Sequence, residues 1–196
     1  MNKKLVFGCL FGFIGVLIII GLIFFGYVVD ARNNMVAKEV EVENTWAQVQ
    51  NVYQRRLDLI PNVVSSTEAY MKLEKDIFEE IADARKSIQA AESPSELENA
   101  NQSINSFIRD FKVVVEDTPE LRSSETVRDL MVQLEGSENR IAQERKRFND
   151  SVRDYNTYIR LFPRNMIAGW FGFTAKEFFE AEEGAEQAPE VNIDID

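Results

Sequence analysis

Between Leu5 and Val29 the chain runs for 25 residues without a charged side chain, and Asp30 ends the run. At about 1.5 Å per residue, a helix over it crosses a hydrocarbon core of roughly 30 Å with some tilt. A secretory signal has an apolar core of only about 7–15 residues, and Val29-Asp30-Ala31 is a poor cleavage site, so the run reads as an uncleaved single-pass anchor. Lipid modification of Cys9, the one cysteine, would leave Leu5 to Gly8 as the apolar core before it, which is too short. Lys3 and Lys4 precede the run, whereas Asp30 and Arg32 nearly cancel after it. The positive-inside tendency then predicts residues 1–4 in the cytoplasm, residues 5–29 in the cell inner (plasma) membrane, and the soluble domain outside the cytoplasm. Gly8, Gly12, Gly15 and Gly26 share one helical face. Such a face lets two membrane helices approach and predicts a homo-oligomer; the alternative is the ordinary abundance of glycine in membrane helices.

All 33 acids follow Val29 together with 20 of the 22 bases, so the part beyond the anchor carries a formal charge of −13. A nucleic-acid partner needs a basic face, and none is expected here. Anionic headgroups would also repel most of this surface. The chain has no histidine, which removes the commonest metal ligand and the commonest general base. Di-iron helical bundles use Glu-x-x-His pairs, so that reading is closed and no cofactor is expected. With a single cysteine no intrachain disulfide can form.

Only 9 glycines and 5 prolines punctuate the 196 residues, which favours long helices over a β fold. Val42, Trp46, Val49, Tyr53, Leu57 and Ile60 recur at three- and four-residue steps, marking one face of a helix. Val63, Thr67, Tyr70, Ile77, Ile81, Ala84, Ile88 and Ala91 continue the pattern as a second run. Glu92-Ser93-Pro94-Ser95 is a stop, with Ser95 predicted to cap the next helix and Pro94 outside it. A third helix carries Leu97, Ala100, Ile104, Phe107, Ile108, Phe111 and Val114. Thr118 and Pro119 open a fourth as cap and first residue. Val127, Leu130, Leu134, Ile141, Phe148, Val152, Tyr155, Ile159 and Phe162 then give one helix of about 43 residues, some 65 Å long, that Gly136 can bend. The steps lie nearer 3.5 than 3.6 residues, as in left-handed bundles. Residues 30–162 thus read as an all-α, antiparallel, up-and-down four-helix bundle of long helices.

Pro61 leaves the topology open. The apolar phase runs through it, from Tyr53 and Leu57 to Ile60, Val63 and Thr67, as one kinked helix would. A reversal at Leu59-Ile60-Pro61 gives the four-helix order instead, and that is the expectation adopted.

Arg55, Arg56, Asp58 and Asn62 sit beside this proline, while Glu135, Glu138 and Arg140 belong to the last long helix. If those helices pack, the charges form a layer. It can be an ion-pair network that fixes register. It can also be a contact for an anionic ligand through the arginines, or a catalytic carboxylate pair.

Residues 163–179 change character, with Trp170, Phe171, Phe173, Phe178 and Phe179 crowded around two glycines. They read either as a cap over one end of the bundle or as an interaction patch for a membrane surface, a second copy or a partner. The tail, residues 180–196, holds seven acids and no base and is predicted to be disordered or only loosely docked. Its Val191, Ile193 and Ile195 alternate with polar residues and can add a strand to a partner's sheet.

Three stretches together resemble the LemA family of bacterial membrane-anchored helical proteins. The first runs from Trp46 through Gln54-Arg55-Arg56-Leu57-Asp58-Leu59-Ile60-Pro61-Asn62-Val63-Val64. The second is Glu138-Asn139-Arg140-Ile141-Ala142 with Phe148-Asn149-Asp150 and Tyr155-Asn156-Thr157-Tyr158-Ile159. The third is Phe162-Pro163-Arg164-Asn165-Met166-Ile167-Ala168 with Gly172-Phe173 and Phe179-Glu180-Ala181. Between Pro94 and Val127 only the helix spacing and Pro119 match. The resemblance implies an N-terminal membrane helix, a mainly antiparallel four-helix domain and no assigned reaction. It also implies an envelope scaffold or adaptor, with a membrane zinc metalloprotease among the candidate partners. The sequence reading is therefore a non-enzymatic scaffold that self-assembles or docks a partner. A ligand-sensing bundle that signals through a membrane partner is the alternative.

Overall fold

The computed structural model describes residues 3–67 and 75–180, with side-chain surroundings for residues 12–66 and 82–180. Six helices follow in order: α1 (Lys3–Thr67), α2 (Lys75–Ala90), α3 (Pro94–Asp117), α4 (Pro119–Ser123), α5 (Glu125–Arg160) and α6 (Arg164–Phe171). Among the described residues there is no strand. The chain divides into two compact units, one from Met1–Asn51 and Lys146–Lys176, the other from Val52–Arg145 and Glu177–Asp196. The predicted tail lies almost wholly outside the described residues, as do the side chains of Gly8, Cys9, Thr67, Tyr70, Ile77 and Ile81.

The first part of α1 is apolar all round. Phe13, Leu17, Ile20 and Phe25 are each more than half exposed, as a helix requires when nothing but lipid is to surround it. From Ala31 onward one stripe disappears from the surface. Met35, Val42, Val49, Arg56 and Val63 repeat at seven residues and are all buried. Tyr53 and Ile60 form the parallel series. α5 carries the matching pattern in Val127, Leu134, Ile141, Phe148 and Tyr155.

The expected reversal at Pro61 does not occur, because α1 continues through Pro61 to Thr67. The proline cannot donate to the carbonyl of Leu57, and an interior proline costs about 3 kcal/mol. Leu57, Ile60, Val63 and Val64 are all buried around it, and each buried side chain of this kind contributes roughly 1.5–3 kcal/mol. Burial therefore outweighs the lost bond. The carbonyl of Pro61 in turn accepts a 2.8 Å hydrogen bond from the Ser65 hydroxyl.

Three other boundaries differ from the expectation. Ser93, not Ser95, caps α3: its hydroxyl accepts from the Glu96 amide, and Pro94 lies inside as a first-turn residue, where its missing N–H costs nothing. The last long helix is broken at Ser124, whose extended backbone (ψ 124°) separates α4 from α5, while α5 runs through Gly136 without a stop. Thr118 does cap α4 by position, although its side chain makes no capping bond. Finally, Phe162 is not core but 80% exposed. α5 stops at Arg160, and the residue before a proline is driven out of helical geometry, so the seven-residue series cannot carry Phe162 inward.

Candidate functional site

Arg56 occupies a position that the heptad reserves for the core, and its side chain is only 7% exposed. Its guanidinium reaches Glu138 of α5 at 3.3 Å. The same carboxylate accepts from Lys112 of α3 at 3.4 Å. Three helices thus meet at one acid between two bases. Burial lowers the Arg56 guanidinium from its ordinary pKa, and Glu138 works against that shift. The Arg56 Nε is buried without a partner among the described residues, which leaves the ion pair to carry the cost of burying the group.

One turn earlier on α1 lies a second polar contact in the same unit. Arg145 of α5 binds Glu98 of α3 closely, donates to the Glu180 carbonyl at 3.0 Å, and stands 4.8 Å from the centre of the Phe179 ring. Tyr53 is buried beside it, and burial raises its hydroxyl above the ordinary value, with the Arg145 charge the main opposing influence.

The other members of the predicted site are placed as follows. Asp58 pairs with Arg85 of α2 at 2.7 Å, at a solvent-exposed position. Asn62 lines an open groove of about 460 Å³ together with Ser65, Ser66, Asp129 and Gln133. Arg55, Glu135 and Arg140 lie on exposed helix faces. Among the described residues no three His, Cys, Asp or Glu side chains gather as a metal site would require. In the aromatic segment Trp170 and Phe171 are exposed and Phe173 is half-buried. In the other unit Phe178 is exposed, whereas Phe179 is buried under Arg145 and is not part of a free surface. An added methyl at Gly12, Gly15 or Gly26 would meet nothing within 4 Å, so that face of α1 is open.

Sequence reasoning missed Lys112, Glu98 and Arg145, because partners 26 and 47 residues apart leave no local signal. It also missed Asn156. This residue is buried in the α5 seam, and its carboxamide both donates to the carbonyl and accepts from the amide of Lys176, each at 2.9 Å. The pair clamps the strand of chain after α6 to α5, and Lys176 then bridges to Glu39 of α1 at 2.8 Å. A lone asparagine in an apolar seam was the available signal. Beside it the Tyr155 hydroxyl is buried without a partner among the described residues, and burial, with Glu39 nearby, pushes its pKa up to about 12.

These features define a helical protein built on one N-terminal helix that is long and apolar enough to cross a membrane. Residues 45–193 match the LemA family, and the chain belongs to that family. It is 28% identical over 152 residues to magnetosome protein MamQ of Magnetospirillum gryphiswaldense, covering 64% of this chain and 56% of that protein. Magnetosome proteins MamQ 1 and MamQ 2 of Paramagnetospirillum magneticum are each 28% identical over 167 residues, covering 70% of this chain and 61% of theirs. The chain thus spans less than two thirds of the length of these relatives.

Proposed function

We propose that the chain is a non-enzymatic, single-pass membrane protein of the inner membrane that acts as a scaffold or adaptor, with its helical domain outside the cytoplasm. The observation that carries this reading is the continuity of α1. One unbroken helix serves first as the anchor and then as a stripe-bearing helix of the domain, so a partner on the domain is tied to the membrane through the same backbone. Lys3 and Lys4 before the span support the orientation. The similarity to magnetosome proteins supports membrane association.

The domain is an antiparallel bundle in this reading. Contacts between α1 and α5 support it, since Lys38 meets Tyr158, Thr45 meets Ser151 and Trp46 meets Phe148, one number rising as the other falls. The layer of Arg56, Glu138 and Lys112 is its register key, as buried polar groups are in coiled coils. The partner is a second copy, through the open glycine face, or another envelope protein such as a membrane metalloprotease. Chemical crosslinking in native membranes, followed by size analysis, tests this: a discrete adduct is expected. A monomer with no crosslinked partner sinks the scaffold reading.

A further inference from the structure

Where α1 leaves its apolar run, a second apolar surface stands beside it. Leu161, Phe162, Met166, Trp170 and Phe171 are each about half exposed or more, around α6. Met166 and Trp170 are four residues apart and so share a helical face. Ile167 and Ala168 on the other face are buried and hold α6 in place. Gly172, at φ 77°, ends the helix in the left-handed region that glycine tolerates.

The height of this surface is set by Arg32. Its guanidinium lies 5.4 Å from the centre of the Phe171 ring. Arg32 is three residues beyond Val29, a rise of about 4.5 Å along the helix. The headgroup layer of one leaflet is roughly 5–7 Å thick, so the ring stands at headgroup depth when the apolar run fills the hydrocarbon. Charge agrees with depth. From Tyr155 to Lys176 there are three bases and no acid, in a chain of net charge −11. Arg32 and Arg160 are exposed there, and Arg164 stacks on Tyr158 at 4.1 Å.

We infer that residues 161–171 form an interfacial foot, with Phe162, Met166 and Trp170 inserted at the boundary of headgroups and acyl chains, and Arg32 and Arg160 meeting lipid phosphates. The inference rests on α1 being a membrane anchor. Tryptophan beside basic residues is the composition that settles at this depth. A second copy fits less well, because a two-fold contact would set these arginines against each other. The foot fixes the tilt and rotation of α1, which a single helix alone leaves free.

The test uses the full chain in vesicles of phosphatidylcholine and phosphatidylglycerol. Trp46→Phe leaves Trp170 as the single reporter, and Trp170→Phe leaves Trp46, which stands about 25 Å beyond Val29 along α1. Lipids brominated near the top of the acyl chain are expected to quench Trp170 and not Trp46, and Met166→Glu is expected to weaken that quenching. If the protein floats with the vesicles while Trp170 is unquenched and as open to iodide as in detergent, the foot is overturned and the anchor stands. Protection from iodide that grows with protein concentration, without quenching by bromolipid, also overturns it, in favour of a second copy. Failure to float overturns the anchor and the foot together.

Discussion

The two halves of α1 are one helix written for two solvents. Residues 12–29 are apolar on every face and exposed on nearly all of them, whereas from Ala31 to Val64 a single stripe is buried, at Ala31, Met35, Val42, Val49, Tyr53, Leu57, Ile60, Val63 and Val64. No proline, glycine pair or cap divides the halves, and the helix does not register the change. The boundary is therefore one of partition and not of conformation: the first half is composed to suit lipid, and α-helical neighbours cover the second. Stability of the fold should accordingly be sensitive in one half and indifferent in the other.

Leucine to alanine in each half gives the sharpest contrast. Leu57→Ala removes a side chain only 1% exposed and is expected to cost about 2–5 kcal/mol in urea melts of the detergent-solubilised chain. Leu17→Ala, at a position 51% exposed, should leave the same melt within about 0.5 kcal/mol. Equal losses at both positions would break the comparison, because the apolar run would then be packed into the fold.

Arg56 tests the seam from within. Arg56→Ala is expected to cost about 1–3 kcal/mol, since it leaves a cavity and takes from Glu138 one of its two bases. Arg56→Met fills the same core position without a charge and should recover most of that loss or exceed the parent, as replacement of buried ion pairs by apolar residues often does. Crosslinked adducts of the Met variant that appear in mixed sizes would mark the ion pair as a register key. A Met variant as unstable as the Ala variant would mean that the pair itself is a net source of stability.

The smallest effect is expected at Tyr155. Tyr155→Phe removes a buried hydroxyl that has no partner among the described residues and should leave stability unchanged or raise it by up to about 1 kcal/mol at pH 7. The pH dependence has a definite sign. The folded tyrosine holds its proton to about pH 12, against 10.0 for the free group, so between those values the unfolded chain has lost a proton that the folded chain keeps. Stability is then fully present below pH 10 and falls as pH rises toward 12. Thermal melts across this window should decline less steeply in Tyr155→Phe. Identical slopes in both proteins would show that the hydroxyl is hydrated.

Local pattern made much of this legible. The uncharged run, the seven-residue recurrence in α1 and α5, the break between helices at Glu92-Ser93 and the family signature from Trp46 to Val64 were all readable, because helix period and solvent preference are written residue by residue. Arg56 and Glu138 could be suspected of pairing since they belong to two helices whose apolar stripes suit packing against each other. Lys112 could not, because nothing in α3 alone indicates which of its bases turns inward.

The sequence by itself thus determined that the chain is helical, that its first segment suits a membrane, and where the apolar stripes lie. Only the tertiary structure decided that Pro61 stays inside a helix, that Ser124 breaks one, that Phe162 and Trp170 face outward and that Phe179 does not. A proline or an aromatic has one local cost wherever it stands. Whether that cost is met depends on what packs against its neighbours. At Pro61 four buried aliphatic side chains offset the missing hydrogen bond, and at Phe162 the helix ends before its seam can hold the ring.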